Sequence, residues 1–406
     1  MTRTVFTGAQ VFDGTGAEPY RADVVIEDAR IVAVGPAGSA DADMAVDLEG
    51  KTLVPGLFDT HVHITIRTVD IWQLVQRPFS YQFFEAAQNL RDTLAVGITT
   101  IRDAGGADLG IRQAVEDGLT PGPRLQISLI MLSQTGGHGD DWLPSGDTLH
   151  FFKPHPGLPD GIVDGPDEMR RKVREVHRAG ADVIKVATTG GVASTRDDPR
   201  HAHFRPDELD VLVAEATAAG MFVMAHAQGA DGIKNAVRAG IRSIEHGIFL
   251  DDEGIELMLD RGTWLVPTLV APQGVIAAAD AGAAIPAVVL EKALATVEIH
   301  QAAFRRAVEA GVRIAMGTDT GVTPHGQNLR ELELMIAGGM APAAVLEAAT
   351  RSAAELMGLE RDLGTIAEGK LADLVVLEGD PYDFDGYGER VTAVWKAGTQ
   401  VMGPSG

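Results

Sequence analysis

The 406-residue chain contains no cysteine. Disulfides, thiolate metal ligands and a cysteine nucleophile are therefore excluded from its chemistry. Aromatic residues are scarce, at 5% of the composition, so a local cluster of them is informative. Positive charge is also short: 34 lysines and arginines face 57 aspartates and glutamates, a formal net charge of −23. A surface of that sign repels phosphate backbones and argues against a nucleic-acid partner. No long hydrophobic run is present either. The most apolar region, VIAAADAGAAIPAVVLEKALA, is interrupted by Asp280, Pro286 and Glu291 and reads as a helical hairpin, not a membrane span. The opening residues, MTRTVFTGAQVFDG, lack the apolar stretch of a secretion signal, which makes the cytoplasm the expected compartment.

Apolar residues in general are plentiful. At 45% of the chain they suffice for one large domain and a smaller one. Residues 1–55 read as short strands between turn residues (RTVFTGAQVFD, RADVVIEDARIVAVG, MAVDLEGKTLVPG). Residues 364–406 repeat that texture in GTIAEGKLADLVVLEGD and RVTAVWKAGTQVM. Between the two ends, eight β-rich runs alternate with helical periodicity: LVPGLFDTHVHI, GITTIRDAGG, RLQISLIML, DVIKVATTGG, MFVMAHAQG, IRSIEHGIF, GTWLVPTLV and VRIAMGTDTG. Helices are expected at PDEMRRKVREVHRAG, PDELDVLVAEATAAG and EIHQAAFRRAVEAG. Eight βα units predict an α/β fold, a (β/α)8 TIM barrel over residues 56–363, a fold that usually needs ~250 residues or more. The two β-rich ends then meet as one small β-sandwich domain.

Polar residues stand at the ends of these runs. His61 and His63 are two apart on one strand end and point to the same face. Lys185 lies inside the fourth run, His226 ends the fifth, His246 the sixth and Asp319 the eighth. A barrel of this kind carries its active site at those strand ends. One His-Val-His, or one buried histidine, is as readily a core feature. Four imidazoles and a carboxylate converging on one mouth form a metal-ligand set. Lys185 poses a separate problem, because a buried unpaired ammonium is costly. A salt bridge is one solution. Beside a divalent cation, reaction with CO2 to give a carbamate is another, and it supplies an anion able to bridge two metals.

These motifs, GLFDTHVH, IKVATTGG, HAQG, IEHG, GTDTG and EGKLADLVVL in that order, resemble the amidohydrolase superfamily in its binuclear form, over nearly the whole chain. TGGHGD (Thr135 to Asp140) and HGQNLRELELMIAGGMAPAAVLEAAT resemble the branch of prolidase-like and ochratoxin-hydrolysing dipeptidases and carboxypeptidases. The resemblance implies two divalent metal ions. Zinc is expected, although such ligands also suit Mn²⁺, Co²⁺ or Fe²⁺. His61, His63 and Asp319 would hold the more buried ion and His226 and His246 the more exposed one, with carboxylated Lys185 and a hydroxide bridging them. The implied reaction is attack of that hydroxide on an amide carbonyl, with Asp319 as proton shuttle to the leaving nitrogen. The implied substrate is a small-molecule amide, a dipeptide or N-acyl amino acid. Hydrolysis of a carbamate, urea or cyclic amide, and deamination, are the alternatives within the superfamily. A non-catalytic scaffold fits less well, since such relatives lose their ligands. Exposed barrel helices in this superfamily often pair, so a homo-oligomer is expected.

Candidate substrate contacts follow from position. His138 lies in the glycine-flanked TGGHGD loop and is assigned to the substrate carbonyl or transition state. Gln228 stands where prolidase-like relatives carry a tyrosine, which departs from a strict prolidase. His325 follows Asp319 and is expected near the pocket. The 139–165 loop brings Trp142, Phe151 and Phe152 together, as an apolar wall for a bulky substrate or a lid packed on itself or a neighbouring subunit. The 194–205 loop, RDDPRHAHFR at its core, holds a second His-x-His, His201 and His203. It is charged and lies off the strand ends. It therefore reads as a substrate lid with an arginine available to a carboxylate, not as a third metal site.

Overall fold

The computed structural model describes residues 2–36 and 42–403. Five strands open the chain: β1 (Arg3–Val11), β2 (Tyr20–Glu27), β3 (Arg30–Gly35), β4 (Met44–Asp47) and β5 (Lys51–Pro55). Nine more follow: β6 (Leu57–Val62), β7 (Ile98–Asp103), β8 (Arg124–Ile127), β9 (Met131–Leu132), β10 (Val183–Ala187), β11 (Phe222–Ala227), β12 (Ser243–His246), β13 (Trp264–Val266) and β14 (Arg313–Ile314). The last three are β15 (Leu374–Glu378), β16 (Val391–Lys396) and β17 (Thr399–Met402).

The two chain ends are stitched together. β5 pairs antiparallel with β15, Leu53 opposite Val376, within a sheet ordered β17-β16-β15-β5-β1-β2-β3 with β4 on β1. β1 changes partner along its length: residues 4–7 run parallel to β4, and residues 10–11 to β5. The enclosed core is separate from the barrel's and draws on both ends, with Phe6, Val24, Leu53, Val376 and Trp395 among its residues. Phe6 and Trp395 meet edge to face at 5.0 Å, the favoured aromatic geometry.

Strands β6 to β14 form the parallel barrel. β6-β7-β8 and β9-β10-β11-β12-β13-β14 are its two ladders. The Asp182 N–H donates to the Ile127 carbonyl at 2.8 Å and joins them on one side. On the other, Thr60 and His63 donate to the Met316 and Thr320 carbonyls at 3.0 and 2.7 Å. This closure needs a glycine at 317: a β-carbon there would lie 2.4 Å from Val266 and 3.0 Å from His61. The run RLQISLIML, expected as a single strand, is split. Leu129 takes φ 66° and Ser128 donates to the Asp103 carbonyl, so the chain leaves one ladder before joining the next. Strands such as VIKVA are buried along their whole length, as parallel barrel strands must be.

Helix starts and stops match their signals. Pro166 and Pro206 occupy first-turn positions with acidic residues behind them, and Gly240, Gly262 and Gly311 close helices in the left-handed conformation. The apolar region near residue 280 is the expected hairpin, helices Val270–Asp280 and Ala287–Ala310. Among the described residues no helix is long and apolar enough to cross a membrane.

Candidate metal centre

The C-terminal ends of the strands bring the expected residues to one cavity. His61 and His63 point to the same side of the β6 end. Their Nε2 atoms lie 3.5 and 3.2 Å from one carboxylate oxygen of Asp319. The ligand atoms of these three residues all fall within 4.8 Å of one another. His226 and His246 sit beside them, ring centroids 4.6 Å apart, and the His61 and His246 rings are 5.1 Å apart. Lys185 Nζ is 3.4 Å from His61 Nε2.

Each of the four histidines has one ring nitrogen engaged on the protein side. His61 Nδ1 meets Glu245 at 2.7 Å, and His63 Nδ1 donates to the Gly105 carbonyl at 2.9 Å. His226 Nε2 donates to the Gly190 carbonyl at 3.1 Å, and His246 Nδ1 meets the Thr268 hydroxyl at 2.7 Å. Such outer contacts orient a ligand histidine and settle which nitrogen keeps its lone pair. Burial, then the Lys185 charge, depresses His61 well below the ordinary histidine value. Burial, aided by neighbouring cationic groups, does the same to His226 and His246. The neutral, ligating form is thereby favoured. At His63 burial acts in the same direction, but the Asp319 carboxylate outweighs it and raises the pKa. Burial would raise Asp319, yet His63, His61 and Lys185 together hold it below the usual carboxylate value. This donor set fits divalent cations.

Lys185 is 2% exposed, and among the described residues no carboxylate lies in ion-pair range of it. Burial lowers its pKa to about 8 against the pull of Glu245 and Asp319. The salt-bridge alternative for this lysine is therefore not what the fold provides.

The backbone around these residues is strained and heavily tied. His246 and Asp319 adopt φ 73° and 61°, a conformation that costs on the order of 1–3 kcal/mol for a residue with a side chain. Asp59 braces Asp319's neighbour from beneath. It accepts from the Thr318 hydroxyl at 2.6 Å, Asn328 Nδ2 at 2.8 Å and the His61 N–H at 3.1 Å. Burial still raises Asp59 to about 6. Asp103 does equivalent work for His63, accepting the Ile64, Gly105 and Ala107 N–H groups at 2.8, 3.0 and 3.1 Å.

The cavity above the centre measures about 600 Å³. His138, Trp142 and Gln228, the candidate substrate contacts, line it. The Gln228 side-chain oxygen is buried without a hydrogen-bond partner among the described residues. Phe151 and Phe152 also line the cavity, and the Phe152 ring lies 5.6 Å from that of His63, so the aromatic loop forms a wall of the site. His325 is different. It lies outside the cavity lining, with Nε2 on the Ile66 carbonyl at 3.0 Å and Nδ1 3.4 Å from the Thr93 hydroxyl. Both nitrogens serve the fold beneath the site, which corrects its assignment to the substrate. Within the 194–205 loop His201 is exposed and His203 buried, and neither joins a cluster of metal-type ligands among the described residues.

Several residues that support the site were not singled out in the sequence, even where they lie inside a quoted run. Glu245, Arg102 and His300 are examples. Arg102 bonds Glu245 at 2.9 Å, and His300 Nε2 donates to the strained His246 carbonyl at 2.8 Å. A charged residue inside an apolar strand, as Arg102 is in ITTIRD, was the available signal for the first pair. His300 sits mid-helix and gave none.

A family model described as "Amidohydrolase family" matches residues 52–401. Ochratoxinase of Aspergillus niger is 36% identical over 427 residues, covering 99% of this chain and 87% of that protein. A solved Xaa-Pro dipeptidase with bound methionine in its active site matches with TM-score 0.90 and 34% identity, over 99% of this chain and 100% of the other. A prolidase complexed with N-methylphosphonate-L-proline matches with TM-score 0.91 and 35% identity, over the same shares.

Proposed function

The chain belongs to the amidohydrolase family, and we propose that it hydrolyses the amide bond of a small molecule bearing a free carboxylate, a dipeptide or an N-acyl amino acid. That it is a hydrolase of carbon–nitrogen bonds follows from the family. One observation carries the narrower reading. Arg196 lines the cavity with its guanidinium 4.8 Å above the Trp142 ring, and it makes no ion pair among the described residues. In so acidic a chain, a guanidinium left without a carboxylate beside an apolar wall is suited to a carboxylate brought by the substrate. The relatives named as a dipeptidase and prolidase support a peptide-like bond.

The ligand arrangement supports two divalent ions, zinc first among them. His61, His63 and Asp319 would hold one, His226 and His246 the other, with Lys185 as a carbamate between. Such ions, when bound, polarise a carbonyl oxygen and acidify a water toward neutral pH. Carboxylation would convert a buried ammonium lacking a counter-ion into an anion, which removes its conflict with nearby cations. Asp319 is kept ionised by its neighbours. It is thus ready to take a proton from water and return it to the leaving nitrogen, whose departure as an anion is unfavourable. His138 and Gln228 contact the substrate, and the aromatic loop covers its bulkier part. Water adds across the bond to give a carboxylic acid and an amine.

A panel of dipeptides, N-acyl amino acids, their methyl esters, aryl carbamates and ureas tests the reading. Turnover is expected for acids and not for their esters, with Arg196→Ala raising KM for the acids. Faster turnover of carboxylate-free carbamates or ureas would sink it.

A further inference from the structure

His138 lies on a glycine-flanked loop, yet its ring is held on several sides. It stacks on His226 with centroids 4.1 Å apart and planes 22° from parallel. Its Nδ1 is 3.0 Å from the Ser194 hydroxyl and 3.3 Å from Asp197 Oδ2. The Ser194 hydroxyl lies between Asp197 Oδ1 and the Gly191 carbonyl, both acceptors, so it turns a lone pair toward the imidazole. Both groups facing Nδ1 are therefore acceptors, and Nδ1 is the nitrogen that carries hydrogen. The ring also lies against Gly191. A β-carbon there would fall 2.2 Å from Cε1 and 2.5 Å from Nδ1, so any side chain at 191 evicts the ring.

The carboxylate is itself anchored. Lys292, on helix Ala287–Ala310, places Nζ 3.0, 2.9 and 2.6 Å from the carbonyls of Gly191, Ser194 and Asp197, and 3.3 Å from Asp197 Oδ1. The Gly191 N–H donates to Asp197 Oδ2 at 3.1 Å. Burial pushes the Asp197 carboxyl up, but His138, Ser194 and Lys292 prevail and hold it below the usual carboxylate range. A loop that needed only to be closed would not require a carboxylate aimed at an imidazole.

We propose that Asp197, anchored by Lys292, is a positioning residue that fixes the His138 ring through Nδ1–H and leaves Nε2 as the nitrogen offered to the substrate. The inference rests on the assignment of His138 to the substrate side of the site. It places a His–carboxylate–Lys chain across three segments, the loop at 138, the loop at 194–197 and the helix bearing Lys292. None of the three carries a motif for it.

The test uses the full-length, metal-loaded protein with ¹⁵N-labelled histidine, and the variants Asp197→Asn, Asp197→Glu, His138→Ala and Asp197→Asn with His138→Ala. Asp197→Asn is expected to lower kcat on the order of 10-fold, the lower range for loss of an orienting partner. KM should stay within about threefold, metal content should not change, and the His138 ring signals should move away from a single Nδ1–H form. In the His138→Ala background the same change should cost nothing further. Asp197→Glu keeps the charge for Lys292 and should lose less, and it serves if the asparagine variant does not fold. Additive losses in the double variant overturn the proposal while leaving the role of His138 intact. Unchanged His138 ring signals overturn it whatever the kinetics. Full activity in His138→Ala instead overturns the assignment of His138 to the substrate.

Discussion

His61 Nδ1 and Glu245 Oε2 lie 2.7 Å apart, and both side chains are buried. Arg102 binds the other Glu245 oxygen at 2.9 Å, and Ser243 donates to it at 2.5 Å. The carboxylate thus directs His61 Nε2 toward Asp319 and Lys185. Glu245→Gln should weaken metal affinity about 10- to 100-fold, the range for an outer partner of a ligand histidine. It should also destabilise the fold by on the order of 3–5 kcal/mol, because Arg102 is left as an unpaired buried charge. Chelator competition and denaturant unfolding measure the two effects. Unchanged affinity would show that the contact does not orient the ligand.

Lys185→Ala should lose metal and activity together. Short carboxylic acids should restore part of both if they replace an anion that the lysine normally supplies. Elemental analysis and turnover with and without added acetate or propionate are the measurements. Full activity in the alanine variant would rule out the bridging role.

Asp319→Asn keeps the shape of the side chain but removes its charge and most of its basicity. The variant should retain some metal through His61 and His63. Its kcat on an amide should fall roughly 10²–10⁴-fold, the usual worth of general acid–base help. Turnover within about threefold of wild type, in protein shown to be metal-loaded, would mean that Asp319 does not carry the proton.

Glu331 accepts the Leu269 and Val270 N–H groups at 2.8 and 2.9 Å in a fully buried position, and burial raises its pKa from 4.5 to about 8. The folded protein therefore holds this proton at pH values where the unfolded chain has released it. The stability it confers is complete below about pH 4.5 and is lost as pH rises toward 8. Glu331→Gln cannot titrate, so the Tm advantage of wild type over the variant should shrink between pH 5 and 8. A difference independent of pH would show that Glu331 is ionised throughout.

Some of this protein was readable in one dimension. The alternation of apolar runs and helical periods, the prolines that open helices and the glycines that close them are local properties, and they lead directly to a barrel between two β-rich ends. The convergence of the candidate ligands was equally legible, because a strand's direction and its two-residue alternation determine where His61, His63, His226 and His246 emerge into one cavity. Other features depended on contacts between residues remote in sequence. His61 and Glu245 are 184 positions apart, and Lys292 reaches Asp197 across 95. His325 follows Asp319 by six positions yet lies outside the cavity lining, its two nitrogens taken by Ile66 and Thr93. The difference is physical. Periodicity and strand-end position are set by neighbouring residues along the backbone. Which ring nitrogen keeps its lone pair, and which arginine is left without a carboxylate, is decided by polar partners that only the closed barrel brings within 3 to 4 Å.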